Sequence, residues 1–203
     1  MSLVIRREEK SDERNNENLV REAFWNVYKP GCLEHYVLHV MRESPGFIKD
    51  LNFVMEEDGE LIGQVVFHEA ELIMKDGSRL PIATFGPIGI RPDKKRKNYG
   101  TVLLAYAMNK AKEYGIKALL MEGNIDFYGK LGFTKACDKG ILYHGQTVDF
   151  LLCRELEKGY LSDSDGADYI TPPIYYVDEQ KADEFDTSFP YKEKIKLEGQ
   201  LFS

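Results

Sequence analysis

Lys94, Lys95, Arg96 and Lys97 form an unbroken cationic run, and Asn98 and Gly100 follow it at the head of an apolar helical pattern, in RPDKKRKNYGTVLLAYAMNKAKEYG (91–115). The chemistry such a run suits is the holding of phosphate. A helix start offers N–H groups with no carbonyl of their own helix to meet, together with a partial positive charge, so anions collect there. Lys95, Arg96 and Lys97 add charge around a backbone that must curl to point its amides inward. Asn98 and Gly100 are expected to supply that curl, because glycine reaches positive φ without steric cost and asparagine is among the few other residues that tolerate it. The plain alternative is a solvated loop, the usual fate of charges between a strand and a helix. Neither GxGxxG nor GxxxxGK[ST] occurs, so the common nucleotide fingerprints are missing.

Other residues that could do chemistry carry weaker signals. His35 and His39 are four apart, a spacing that holds metal on a helix, but no further ligand completes a set. DSDGAD (163–168) resembles a calcium loop only in part: its glycine comes at the fourth position and Ile174 stands where a bidentate glutamate is required, so a linker turn is expected. Cys32, Cys137 and Cys153 are scattered without metal or disulfide spacing and read as reduced, buried thiols. A formal charge of −7 disfavours nucleic acid and weakly favours a cationic partner. No apolar run approaches the roughly 20 residues that span a bilayer, and the polar start lacks a secretory pattern, so no membrane and a cytoplasmic location are expected.

The elements that must position these residues follow from periodicity. LVIRR near Leu3 reads as a strand, and Asp12 as the cap of a helix with Leu19, Val20, Ala23, Phe24 and Val27 on one face, ending at the KPG of 29–31. A second helix is expected from Leu33 to Arg42. Residues 51–90 are β-branched and aromatic, and Asp58-Gly59 and Asp76-Gly77 divide them into three antiparallel strands. A helix from Tyr99 or Gly100 to Tyr114, a strand IKALLME, a short helix IDFYGKL, a strand FTKAC and a last strand TVDFLLCREL complete a mixed α/β sheet. The unit LPIATFGPIGI, helix, IKALLME reads as a crossover of parallel strands, which sets the helix start beside the strands' carboxyl ends.

GPIGIRPDKKRKNYGTVLL and KALLMEGNIDFYGKLGFTKA together resemble the GNAT superfamily of acyl-CoA-dependent N-acetyltransferases, over roughly Leu3 to Glu155, and are closest in style to bacterial predicted acetyltransferases with a carboxy-terminal extension. The family's Q/R-x-x-G-x-G/A loop falls on Lys95-Arg96-Lys97-Asn98-Tyr99-Gly100, with Lys95 in place of Gln or Arg and Asn98 in place of the first glycine. The resemblance implies an α/β (α+β) fold with a mixed, mostly antiparallel central sheet, a splayed parallel strand pair that binds the cofactor, and helices on both faces. It assigns the diphosphate of acetyl-CoA to amides from Arg96 to Thr101, and the pantetheine arm to main-chain groups of Ile88, Gly89 and Ile90, with Pro87 and Gly89 making that edge irregular.

By the same resemblance, Tyr128 is the general acid. A phenol stays protonated at neutral pH while a thiol leaves with a lower pKa, so donation to the departing thiolate is downhill. The alternative is a core tyrosine; Phe127, Leu131 and Phe133 are expected in the core. Asn124 is a cofactor contact or a helix cap. A lysine-like acceptor must lose a proton, yet Thr84 stands where some members carry a glutamate; Glu122, His68 and Glu69 are the candidates, each with a solvent-facing alternative, and Glu122 is the tentative base.

Two function classes are therefore carried. One is an enzyme moving acetyl from acetyl-CoA to a primary amine of a small molecule or peptide in a ternary complex; the other is a non-catalytic acyl-CoA-binding module, which has no need of an acid at the sulfur. The transferase domain is expected over 1–157 and an extension over 158–203. In the extension Tyr160, Tyr169, Tyr175, Tyr176, Phe185, Phe189, Tyr191 and Phe202 imply docking, on the domain itself or on a second subunit as in a homodimer. His35 and His39 are expected to line the acceptor side by analogy with the family's first helices.

Overall fold

The computed structural model describes residues 2–201, so Phe202 lies outside the described residues. Strands pair in the order β1-β2-β3-β4-β5-β8-β6, and β9 joins β3 and β7 off that path. The sheet is mixed and mostly antiparallel, as expected, with β4 and β5 as a parallel pair of neighbours along that order. The chain divides into two compact units, Met1–Val66 with Pro87–Leu104 and Pro173–Ser203, and Phe67–Gly86 with Ala105–Pro172.

In the first unit β1 (Leu3–Arg7) runs antiparallel to β2 (Phe53–Glu57), and β2 to the opening of β3 (Glu60–Ile73). Asp58 and Gly59 turn the β2–β3 hairpin with φ of 52° and 84°, the left-handed pair that an Asp-Gly hairpin requires. Helix α1 (Glu13–Phe24) and α2 (Glu34–Met41) bury Val20, Val37, Leu38 and Met41 with Val66 of β3. Helix α1 stops short of the expected KPG because Asn26 goes left-handed (φ 58°) and closes a loop: its N–H donates to the Gly31 carbonyl and its Oδ1 accepts the Gly31 N–H, both at 2.8 Å. Asp12 stands at the α1 cap position, but its carboxylate is spent on Arg6 (2.6 and 3.0 Å) and on the Glu9 N–H.

The carboxy-terminal stretch of this unit forms helix α5 (Glu179–Asp186), an element not expected from periodicity; Asp178 caps it through the N–H groups of Gln180 and Lys181. It packs on α1 and α2. Arg21, 1% exposed, donates to Asp186 (2.5 and 3.1 Å) and to the Pro190 carbonyl. Phe185 lies 4.4 Å from the His39 ring, and the Arg14 guanidinium stands 3.4 Å over Phe189. His35 and His39 therefore face α5, with His35 fully buried and His39 hydrogen-bonded to Glu17.

In the second unit β4 (Arg79–Ile90) meets β5 (Ala118–Glu122) in parallel register at Ala83 and Leu119. Strand β8 (Leu151–Glu155) lies antiparallel to β5 and to β6 (Thr134–Lys135). Two unexpected two-residue strands, β7 (Leu142–Tyr143) and β9 (Asp168–Tyr169), pair in parallel, and β9 also pairs with β3 at Leu72 and Ile73. Tyr169, Leu72, Ile82, Leu120, Ile141 and Leu151 share one core. DSDGAD thus ends in a strand, with Gly166 left-handed and the Asp168 carboxylate accepting the Gly145 N–H. Cys32 and Cys153 are buried and Cys137 half-buried, all as free thiols. Helices α3 (Tyr99–Tyr114) and α4 (Ile125–Tyr128) carry the candidate site residues. Among the described residues no helix is long and apolar enough to cross a membrane.

Candidate functional site

The cationic loop belongs to the first unit, and a single carboxylate holds both of its ends. Glu57, at the end of β2, accepts a hydrogen bond from Lys94 Nζ and another from Tyr99 Oη. The Lys94 ammonium, then the Tyr99 hydroxyl, hold the Glu57 carboxyl below the ordinary range. Between these anchors Arg96 and Asn98 adopt φ of 64° and 66°. The curl thus falls at Arg96 and Asn98. Gly100, expected to share in it, is a helical residue of the first turn of α3. Alternating left-handed residues gather successive N–H groups into an anion-holding concavity. The first bond back along α3 is from the Val102 N–H to the Asn98 carbonyl (3.1 Å), so the amides of Tyr99, Gly100 and Thr101 precede the helical ladder.

The side chains around this curl divide in two. Those of Arg96 and Lys97 are exposed and make no hydrogen bond or ion pair among the described residues. Lys95 instead sends its ammonium to the carbonyl of Ala23 in the last turn of α1 (2.7 Å), where a cation meets the unsatisfied end of a helix, and burial lowers its pKa.

Beside this loop the end of β4 runs unbroken through Ile88, Gly89 and Ile90. Its one positive φ is at Gly86 (134°), so the irregularity lies there, not at Pro87 or Gly89. Ile88 and Ile90 are half-buried and alternate with buried Pro87 and Gly89. Gln64 Nε2 donates to the Pro87 carbonyl (2.7 Å), and a β-carbon on Gly63 would stand 2.7 Å from Ile90 Cδ1. Glycine at 63 is thus what lets Ile90 lie where it does.

The second group belongs to the other unit. Tyr128 closes α4, its ring half-buried with Phe85, Phe127 and Phe133 around it at centroid distances of 6.0, 4.8 and 5.8 Å. Leu131 and Phe133 are buried as expected, but Phe127 is 39% exposed: its edge meets Tyr128 while the rest faces out. Asn124 caps α4, its Oδ1 accepting the Asp126 N–H (2.8 Å).

Alternation along β5 sends Met121 and Gly123 to the Tyr128 side and Glu122 to the opposite face. There Glu122 Oε1 accepts from Thr171 Oγ1 (2.9 Å) and Tyr143 Oη (3.1 Å). His68 is buried, with Nδ1 2.6 Å from the Glu69 carbonyl; Glu69 faces solvent, and Thr84 is buried. Sequence reading missed Glu57, Tyr143 and Thr171, whose partners lie far along the chain. Among the described residues no cluster of His, Cys, Asp and Glu could hold a metal.

Residues 18–133, more than half of the chain, match the acetyltransferase (GNAT) family model. The chain belongs to that family of acyl-transferring enzymes. Its fold is similar to that of the GNAT family N-acetyltransferase YhbS of Escherichia coli, solved with CoA: TM-score 0.73, 20% identity, over 86% of this chain and 92% of that one. A GNAT family acetyltransferase of Brucella melitensis, solved with acetyl-CoA, gives 0.63 at 18% identity over 76% and 88%. The PaiA N-acetyltransferase of Thermoplasma acidophilum, solved with coenzyme A, gives 0.52 at 18% over 76% and 99%. At such identities the likeness is one of fold. No curated protein matches the chain in sequence.

Proposed function

We propose that the chain is an acetyl-CoA-dependent N-acetyltransferase that acylates a primary amine of a small molecule or peptide by direct attack in a ternary complex. The observation that carries this reading is the loop at the head of α3: left-handed Arg96 and Asn98, the amides of Tyr99, Gly100 and Thr101 ahead of the helical ladder, and the uncommitted cations Arg96 and Lys97. Such a loop suits a diphosphate, because several backbone donors and a fixed partial charge converge without a nucleotide fingerprint. Family membership supplies the acyl chemistry.

When bound, acetyl-CoA supplies an activated acyl carbon and a thiolate leaving group. Loop amides from Arg96 to Thr101 bind the diphosphate, and main-chain groups of Ile88, Gly89 and Ile90 bind the pantetheine arm. Lys95 and Asn124 are further contacts in this reading, although Lys95 must first leave the Ala23 carbonyl and Asn124 already caps α4. Tyr128 holds a phenolic proton for the leaving sulfur, and its aromatic surround fixes the ring.

The test is a panel of primary amines with acetyl-CoA, read by released thiol, beside a titration of acetyl-CoA alone. Thiol release that depends on one amine class is expected. Saturable binding of acetyl-CoA with no turnover of any amine would instead make the protein a binding module.

A further inference from the structure

We propose that Gln64 is a positioning residue for the acyl-donor arm: its amide nitrogen fixes the Pro87–Ile88 peptide through the Pro87 carbonyl, so that the Ile88 N–H is aimed at the arm of bound acetyl-CoA. The proposal rests on the reading above, in which main-chain groups of Ile88, Gly89 and Ile90 bind pantetheine, and adds to it the side chain that sets their direction.

Packing clamps the end of β4 on both faces. A β-carbon on Gly89 would stand 3.4 Å from Ala23 Cβ, 3.5 Å from Leu19 Cδ2 and 3.6 Å from Phe24 Cε2, so α1 covers one face of the strand. On the opposite face Ile90 Cδ1 and Leu103 Cδ2 lie over Gly63, 2.7 and 3.3 Å from where its β-carbon would be. The freedom that remains is rotation of a peptide plane. Pro87 has no N–H with which to pair β3, and Gly86 before it breaks the extended run at φ 134°. The carbonyl is therefore the grip on the 87–88 peptide, and Gln64 Nε2 donates to it at 2.7 Å.

Direction follows from covalent geometry. In a trans peptide the C=O and the next N–H point opposite ways, so a Pro87 carbonyl turned to Gln64 of β3 turns the Ile88 N–H away from β3. The strand pairing gives the same answer. The Arg91 N–H donates to the Ile62 carbonyl of β3 at 2.8 Å, and in an antiparallel ladder the main-chain groups of successive residues face alternate sides. Residues 91 and 89 thus face β3, while 90 and 88 face the other way. Gln64 fixes the plane that carries the first of those outward N–H groups.

The other end of the same amide separates this role from one of packing alone. Gln64 is fully buried and stands opposite Val54, also fully buried, while its Oε1 is buried with no hydrogen-bond partner among the described residues. An amide oxygen without a donor in apolar surroundings costs free energy. Methionine would fill much the same space with no such oxygen. Stability thus argues for an apolar side chain at position 64, and the Pro87 carbonyl argues for a donor. The donor is what the chain has.

The test uses the full chain, as wild type and with Gln64→Met or Gln64→Glu. For Gln64→Met the melting temperature is expected to stay within about 3 °C of wild type, because loss of the donor is offset by removal of the unpaired oxygen. Its calorimetric Kd for acetyl-CoA should weaken about tenfold, and the downfield shift of the Ile88 amide proton that acetyl-CoA produces in the wild type should be lost. Gln64→Glu tests the sign of the contact: an ionised carboxylate repels the Pro87 carbonyl and a protonated one donates to it, so affinity relative to wild type should recover as pH falls from about 9 to about 6. A Gln64→Met protein that binds acetyl-CoA as tightly as wild type, at whatever melting temperature, overturns the proposal. So does weaker binding that comes with a much lower melting temperature and no recovery in Gln64→Glu. A wild-type protein that binds acetyl-CoA without moving the Ile88 amide overturns the proposal alone, and one with no affinity for acetyl-CoA overturns the underlying reading as well.

Discussion

The Tyr128 ring rests on the backbone of Gly123: a β-carbon at position 123 would stand 2.7 Å from Tyr128 Cε2. Glycine there is what allows the phenol its place, since Met121 already occupies the other side at 2.8 Å. Gly123→Ala must therefore push the ring or the sulfur of Met121 aside. Turnover is expected to fall while acetyl-CoA affinity is kept, because the loop proposed to hold its diphosphate belongs to other residues. Tyr128→Phe should lower kcat by about 10²–10⁴ with little change in affinity or folding. Wild-type kcat for the Phe variant across a range of pH would remove Tyr128 from the chemistry.

The loop makes a prediction that can be ranked. Gly100→Glu is expected to abolish acetyl-CoA binding, because it sets a carboxylate at the amides that open α3. Arg96→Ala should cost about 1–3 kcal/mol of binding. Lys95→Ala should cost less, since that ammonium is engaged by the Ala23 carbonyl. Asn98 sits at φ 66°, so Asn98→Gly should be tolerated and Asn98→Ala should cost about 1 kcal/mol of stability. Titration curves unchanged from wild type for Gly100→Glu, Arg96→Ala and Lys95→Ala would move the phosphate site elsewhere.

Stability should fall in mild acid through His35. Burial drives its pKa from 6.5 down to about 4, against the opposing pull of Asp186, while Arg21 and Arg14 add to the lowering. The imidazole is neutral when folded, and the unfolded chain takes up the proton first. Its contribution is therefore complete above pH 6.5 and is lost as pH falls toward 4, at up to about 1.4 kcal/mol per pH unit. His35→Phe fits the ring cluster of Phe185 and Phe189 and should flatten this part of the profile. Denaturant melts between pH 4.5 and 7 with the same slope for both proteins would refute the assignment.

Cutting the chain after Lys158 should lower the melting temperature and the solubility. The cut takes Tyr169 and β9 away from β3, and it strips Asp186 and the Pro190 carbonyl from Arg21. A shortened protein that melts with the full chain would mean that these contacts contribute nothing to stability.

Signals carried by neighbouring residues were legible in the sequence. Asp58-Gly59 turned where expected, α3 began at Tyr99, and the IDFY turn followed β5. Other features depend on partners far along the chain. Two-residue strands such as β7 and β9 are too short for any period to register, and the acidic α5 buries little besides Ala182 within its own span. Propensity pointed to Gly100 for the curl because arginine is a poor left-handed residue; the structure puts Arg96 there, between Lys94 and Tyr99, which the distant Glu57 holds. Thr171 reaches Glu122 across 49 residues, which no local pattern reveals.

Glu57 ties Lys94 and Tyr99 with a single carboxylate, so the intervening residues have their shape before any anion arrives. The loss of backbone freedom needed to form the curl is then a term in folding, and ligand capture is relieved of it. Glu57→Gln would return that entropy to the association step, weakening anion binding without touching one atom of the surface that the anion meets.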